Sequence, residues 1–138
     1  MENIPTVEPR EAFGDEEYKC VLDCINYYRS KRIDPPYDGF YQKEYERLIS
    51  TKLNGGYSIA VNSGSAASYI AIKSLELGKN SEVLMSPVTD TSSFLSIVMA
   101  ELRPKILDTT KYTYNTSLEE IKKSVSKKTK AVYLVHTY

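Results

Sequence analysis

The stretch whose residue types lend themselves to chemistry is Ser63-Gly64-Ser65-Ala66-Ala67. It follows Tyr57-Ser58-Ile59-Ala60-Val61-Asn62, a short apolar run that reads as a strand, and it precedes Tyr69, Ile70, Ile72, Leu75 and Leu77, which recur at helical spacing. A helix that begins directly after a strand exposes unpaired amides, and the pair forms a small anion cup. Gly64 suits a tight turn, Ser65 offers a hydroxyl, and Ala66 and Ala67 leave room for a phosphate. The same residues suit any strand-to-helix turn, so a phosphate site and a plain turn both stay open on local pattern. Two nucleotide readings fall. No lysine follows Gly64 as a Walker A loop requires, and the three spaced glycines of a dinucleotide fingerprint are missing.

The flanking elements define what positions this turn. Phe13, Tyr18, Val21, Leu22, Ile25 and Tyr28 predict an amphipathic helix from Glu11 to Arg32, stopped by Pro35-Pro36. Residues 33–40 read as a crossing loop, and a second helix runs from Tyr41 to Leu53 and closes at Asn54-Gly55-Gly56. After the turn at Ser63, a strand over Glu82 to Met85 breaks at Ser86-Pro87 and leads into a helix carrying Phe94, Leu95, Ile97 and Val98. Lys105 to Asp108 reads as a third strand, Leu118 to Val125 as a helix capped by Thr116 or Ser117, and Ala131 to Val135 as a fourth strand. Strands alternating with helices predict an α/β fold with a mostly parallel sheet. Ligands then gather beyond the strands' carboxyl ends, where the loops Asn62 to Ala66 and Ser86 to Ser92 and the chain after His136 emerge.

Composition narrows the partners. Lysine plus arginine equal aspartate plus glutamate at 18 each, which gives no field to hold nucleic acid or anionic lipid. No stretch approaches a membrane span and the acidic start lacks a signal peptide's apolar core, so a cytoplasmic protein is expected. Cys20 and Cys24 share a helix face, but with one distant histidine they complete no zinc site, and no metal is expected.

Ala60-Val61-Asn62-Ser63-Gly64-Ser65-Ala66-Ala67 resembles the serine-glycine-threonine-alanine-alanine signature of the DegT/DnrJ/StrS sugar aminotransferases. Gly39-Phe40 followed by Tyr45-Glu46 is similar to the family's entry into its second helix, and Ser81 to Pro87 resembles its next strand. Arg103-Pro104-Lys105-Ile106-Leu107-Asp108 is similar to the third strand, and Lys128 to Val132 with Val135-His136-Thr137-Tyr138 to the fourth. The likeness keeps the family's order and spacing over about residues 30–138.

The resemblance implies the N-terminal part of the large domain of the type I pyridoxal-phosphate transferase fold. Residues 1–40 would be an N-terminal helix and crossing loop, and 41–138 an incomplete cofactor-binding domain. It implies pyridoxal 5'-phosphate as cofactor, with Gly64, Ser65 and Ala66 around its phosphate and Ser63 shaping the turn. Asp90 falls where the family usually has an aromatic residue stacked on the cofactor ring, a departure; its position equally suits a cap for the helix starting near Thr91. His136, the one histidine, invites a general-base reading, but it stands at the end of an apolar strand in a motif that the family shares structurally.

A nucleotide-linked keto sugar, an amino donor and a homodimer are the implied partners. The lysine that joins the cofactor and moves the proton lies, in the family, beyond the equivalent of Tyr138, so no catalytic residue is expected here and the chain is expected to be a fragment, inactive alone. The alternatives are a non-catalytic remnant or interaction module, or another type I pyridoxal enzyme. The family's strand order also implies that Tyr57 to Asn62 pairs with strands late in the chain, leaving Ile59 and Val61 exposed here.

Overall fold

The computed structural model describes residues 12–136, so the expected helix start at Glu11 and the final Thr137 and Tyr138 lie outside the described residues. The chain divides into two compact units, with the boundary between Ala60 and Val61.

In the first unit, α1 (Asp15–Lys31) carries Asp15, Glu16 and Glu17 in its first turn and Arg29 and Lys31 in its last, the arrangement that complements the helix dipole. Glu17 Oε2 accepts from the Gly14 amide at 2.8 Å. Beyond Pro35-Pro36, α2 (Phe40–Lys52) begins at Gly39. The two helices share an aromatic cluster in which Tyr27 lies 5.0 Å from both Tyr28 and Phe40, centroid to centroid. A methyl group at Gly39 would collide with the Tyr28 hydroxyl and crowd the Pro36 carbonyl at 3.1 Å, so this glycine serves close approach. Asn54, Gly55 and Gly56 all take positive φ after α2, where glycine relieves the strain.

The strand expected over Tyr57 to Asn62 does not form among the described residues. A strand needs a ladder partner. Here the Ala60 amide goes instead to the Glu46 carboxylate at 2.7 Å, and the segment remains outside the sheet. Ile59 is 81% exposed, as the sequence led one to expect for a strand without its neighbours.

The second unit comprises α3 (Gly64–Lys73), β1 (Glu82–Met85), α4 (Thr91–Met99), β2 (Arg103–Ile106), α5 (Leu118–Ser124) and β3 (Thr129–Tyr133). The strands form a parallel sheet in the order β2-β1-β3, as the βαβ pattern predicts. Val83 and Met85 point to one face, where Ile72 from α3, Ile97 from α4 and Ala100, which caps α4, bury with Leu102. Leu84, also fully buried, points to the other. A central strand apolar on both faces explains the unbroken Val-Leu-Met run, and each such side chain contributes about 1.5–3 kcal/mol on burial.

Several boundaries differ from expectation, the first being α1, which starts at Asp15 behind its Gly14 cap and leaves Phe13, expected on its apolar face, 94% exposed ahead of the helix. α3 stops at Lys73, and Glu76 takes a left-handed φ of 49°, while Leu77 packs on the core from the turn. β2 starts at Arg103, with Pro104 opposite Val83; an edge strand tolerates the proline. β3 ends at Tyr133, whose carbonyl accepts from the Ser86 amide at 3.2 Å, two residues short of the expected Val135. The buried Ser86 hydroxyl takes over there, donating to the Val135 carbonyl at 3.2 Å and accepting from the Val135 amide at 2.8 Å.

Candidate functional site

Ser63 is extended, with φ −160° and ψ 157°, and α3 starts at the next residue. Its Oγ accepts from the Ala66 amide at 3.1 Å, which makes it the helix N-cap. This cap has a consequence for Ala66: that amide is already engaged. The Gly64 and Ser65 amides and the Ser65 hydroxyl make no hydrogen bond among the described residues, and both residues are exposed. Two amides and one hydroxyl, at the positive end of a ten-residue helix, form the donor set of the cup.

Gly64 does not act through the turn, as the sequence suggested. Its φ is not positive, and a Cβ added to it would meet nothing within 4 Å. What the glycine leaves is open space beside the free amides. Unengaged donors beside open space at a helix N-terminus are the kind of group that suits the phosphate of a cofactor.

The cup is placed on the sheet by a contact that sequence reasoning missed. Ser68 Oγ, in the second turn of α3, lies 2.9 Å from the hydroxyl of Tyr133, the last residue of β3. That contact brings the N-terminal half of α3 to the carboxyl end of the parallel sheet, where ligands of open α/β sheets gather. The available signal was a polar residue at the start of a helix whose later turns, Ile72 above all, are apolar.

Asp90 is the N-cap of α4. Its carboxylate accepts from the Ser92 amide at 2.8 Å, from the Ser93 amide at 3.2 Å, from Ser93 Oγ at 3.0 Å and, at very short range, from Ser92 Oγ. These bonds, that from the Ser92 hydroxyl foremost, hold its carboxyl below the usual aspartate range. The capping alternative is thus realised, and the carboxylate offers no π face to a ring.

His136 follows β3 and lines, with Ser86, Thr116 and Leu134, a cavity of about 270 Å³. The Thr89 and Thr116 hydroxyls are buried without a hydrogen-bond partner. Both lie on loops leaving the carboxyl ends of strands, and the second of these, between β2 and α5, is one that the sequence reading did not count among the ligand loops. No cluster of three or more metal-ligating residues occurs among the described residues, and none of the described helices is long and apolar enough to cross a membrane.

Comparison with known proteins supplies the family. Over 140 residues the chain is 26% identical to GDP-perosamine synthase of Escherichia coli O157:H7, covering all of this chain and 36% of the relative. It is 29% identical to GDP-4-keto-6-deoxy-D-mannose 3-dehydratase of Escherichia coli O55:H7, covering 99% of this chain and 34% of that enzyme. The solved structure of the E. coli GDP-4-keto-6-deoxy-D-mannose-3-dehydratase with bound hydrated pyridoxal phosphate superposes with a TM-score of 0.76 at 26% identity, over 89% of this chain and 32% of that one. The chain thus spans about a third of the length of these relatives. The fold is that of the pyridoxal-phosphate-dependent enzymes. The model of the DegT/DnrJ/EryC1/StrS aminotransferase family matches residues 24–138, and the chain belongs to that family, whose cofactor is pyridoxal phosphate.

Proposed function

We propose that residues 1–138 supply the cofactor-phosphate site of an enzyme that transfers an amino group, from a donor such as glutamate, to the keto carbon of a nucleotide-linked sugar. The observation that carries this reading is the free donor set of Gly64 and Ser65 at the carboxyl edge of the sheet, in a chain of this family. Gly64 N, Ser65 N and Ser65 Oγ would hold the phosphate, Ser63 would keep the helix end in shape, and Ala66 would contribute small size rather than a free amide. When bound, the cofactor supplies an electron sink for the carbon that exchanges its amino group. A GDP-linked sugar is favoured by the likeness to GDP-perosamine synthase.

Residues 1–40 in this reading are a helix and crossing loop, residues 41–138 an incomplete cofactor-binding domain, and the working protein a cytoplasmic homodimer. None of the lysines matches the family's catalytic one, so the 138 residues alone do not transaminate. A second reading, dehydration of the same class of sugar, is favoured by the similarity to the 3-dehydratase.

The coding DNA past codon 138 tests the proposal. An in-frame continuation bearing a lysine that restores amino-sugar formation supports it, and a product that has lost the 3-hydroxyl without gaining nitrogen selects the dehydratase reading. A stop codon directly after Tyr138 contradicts both and leaves a protein without turnover.

A further inference from the structure

The cup does not use the Tyr45-Glu46 pair that the sequence singles out. Glu46 lies in the second turn of α2 and is partly buried. Its Oε1 accepts from the Ala60 amide at 2.7 Å and from Gln42 Nε2 at 3.0 Å. One turn on, Ser50 Oγ lies 2.9 Å from Ser58 Oγ. Position 46 thus meets 60, and 50 meets 58, so the returning chain runs antiparallel to the helix. Four helical residues rise about 6 Å. Two residues of chain cover that distance only when nearly fully extended, at about 6.6 Å.

Exposure agrees with an extended chain. Ser58 and Ala60, facing α2, are partly buried, whereas Tyr57 and Ile59 are 104% and 81% exposed. The amides of Tyr57, Ser58 and Ile59 have no hydrogen-bond partner among the described residues, which leaves that of Ala60 as the anchored one. Nearby cations do not compete for the carboxylate as donors: Lys43 Nζ bonds Asp38 at 3.1 Å, and Arg47 bonds Glu44 at 2.6 and 2.8 Å.

We infer that Glu46 is the positioning residue of the segment 57–60. Its carboxylate does for Ala60 what a neighbouring strand would do, and with Ser50 it sets the register that keeps this chain extended before any strand pairs with it. A charge-assisted bond to a backbone amide is the stronger of the two contacts, and the hydroxyl pair is the weaker.

Hydrogen exchange of the full 138-residue chain, read at single amides by fragmentation mass spectrometry at submicromolar concentration, tests this. Ala60 should be protected about tenfold or more relative to Tyr57 and Ile59. Glu46→Gln, which keeps an acceptor oxygen, should retain most of that protection, whereas Glu46→Ala should bring Ala60 to the level of its neighbours while Ile72 and Ile97 stay unchanged. Acidification should abolish the Ala60 protection in the wild type and leave it in Glu46→Gln. Wild-type Ala60 exchanging as fast as Ile59, or losing protection in acid equally with Gln at position 46, would overturn the inference. Should Glu46→Ala fail to fold, the wild type and Glu46→Gln still decide.

Discussion

The Ser68 hydroxyl and the Tyr133 hydroxyl, 2.9 Å apart and 65 residues apart in sequence, tie the helix that carries the anion cup to the carboxyl end of β3. Removing either hydroxyl leaves the other partly buried and without that partner. Ser68→Ala and Tyr133→Phe should each cost about 1 kcal/mol in urea unfolding, and the double variant should cost less than their sum. Full additivity would mean that the contact contributes nothing.

The Asp90 cap predicts a separation between stability and ligand binding. Asp90→Ala should lower stability by about 1 kcal/mol, and Asp90→Asn by less, because both native side-chain types cap well. Phosphate affinity should be unchanged in both. The carboxyl is depressed in the folded state, so its contribution is present above the unfolded aspartate pKa and is lost as pH falls through the lower folded value. An acid unfolding transition that keeps its wild-type shape in Asp90→Asn would refute this.

Gly39 predicts a rescue. Gly39→Ala drives a methyl into the Tyr28 hydroxyl and should cost about 1–3 kcal/mol, as overpacking does. Adding Tyr28→Phe removes the struck atom and should return part of that loss in thermal melts. A double variant no more stable than Gly39→Ala would place the strain at the Pro36 carbonyl instead.

Exposed apolar side chains predict association. Ile59 is 81% exposed, Ile106 on the edge strand β2 is 59% and Met99 on α4 is 63%. Unpaired edges and apolar patches recruit other chains. The isolated polypeptide should bind a hydrophobic dye and elute early from size-exclusion chromatography at micromolar concentration. A monodisperse monomer with one sharp melt would contradict this.

Much of the second unit was legible because its signals are local. The apolar run at Val83 to Met85 and the Ser117 and Asp90 caps each act within a few residues, as do the glycines after α2 in the first unit. What the sequence hid depends on contacts across distance. Tyr57 to Asn62 has a strand's composition, yet strand formation is a property of pairs, and its one anchored amide found a glutamate fourteen residues away. The cup's residues were visible, but the engagement of the Ala66 amide by Ser63 and the ordinary φ of Gly64 were not, since both follow from how the helix begins in space.

Gly64 and Ser65 are proposed to form a phosphate cup. The direct measurement is an equilibrium titration of the 138-residue chain with pyridoxal 5'-phosphate, followed by cofactor fluorescence, alongside pyridoxal without phosphate. Binding should be saturable, should be competed away by inorganic phosphate, should not be shared by pyridoxal, and should be abolished by Ser65→Trp while the circular dichroism stays that of the wild type. Borohydride should trap no stoichiometric pyridoxyl adduct on one defined lysine. Binding that is absent up to millimolar cofactor, equal for pyridoxal, or untouched by Ser65→Trp would show that Gly64 and Ser65 do not hold the phosphate.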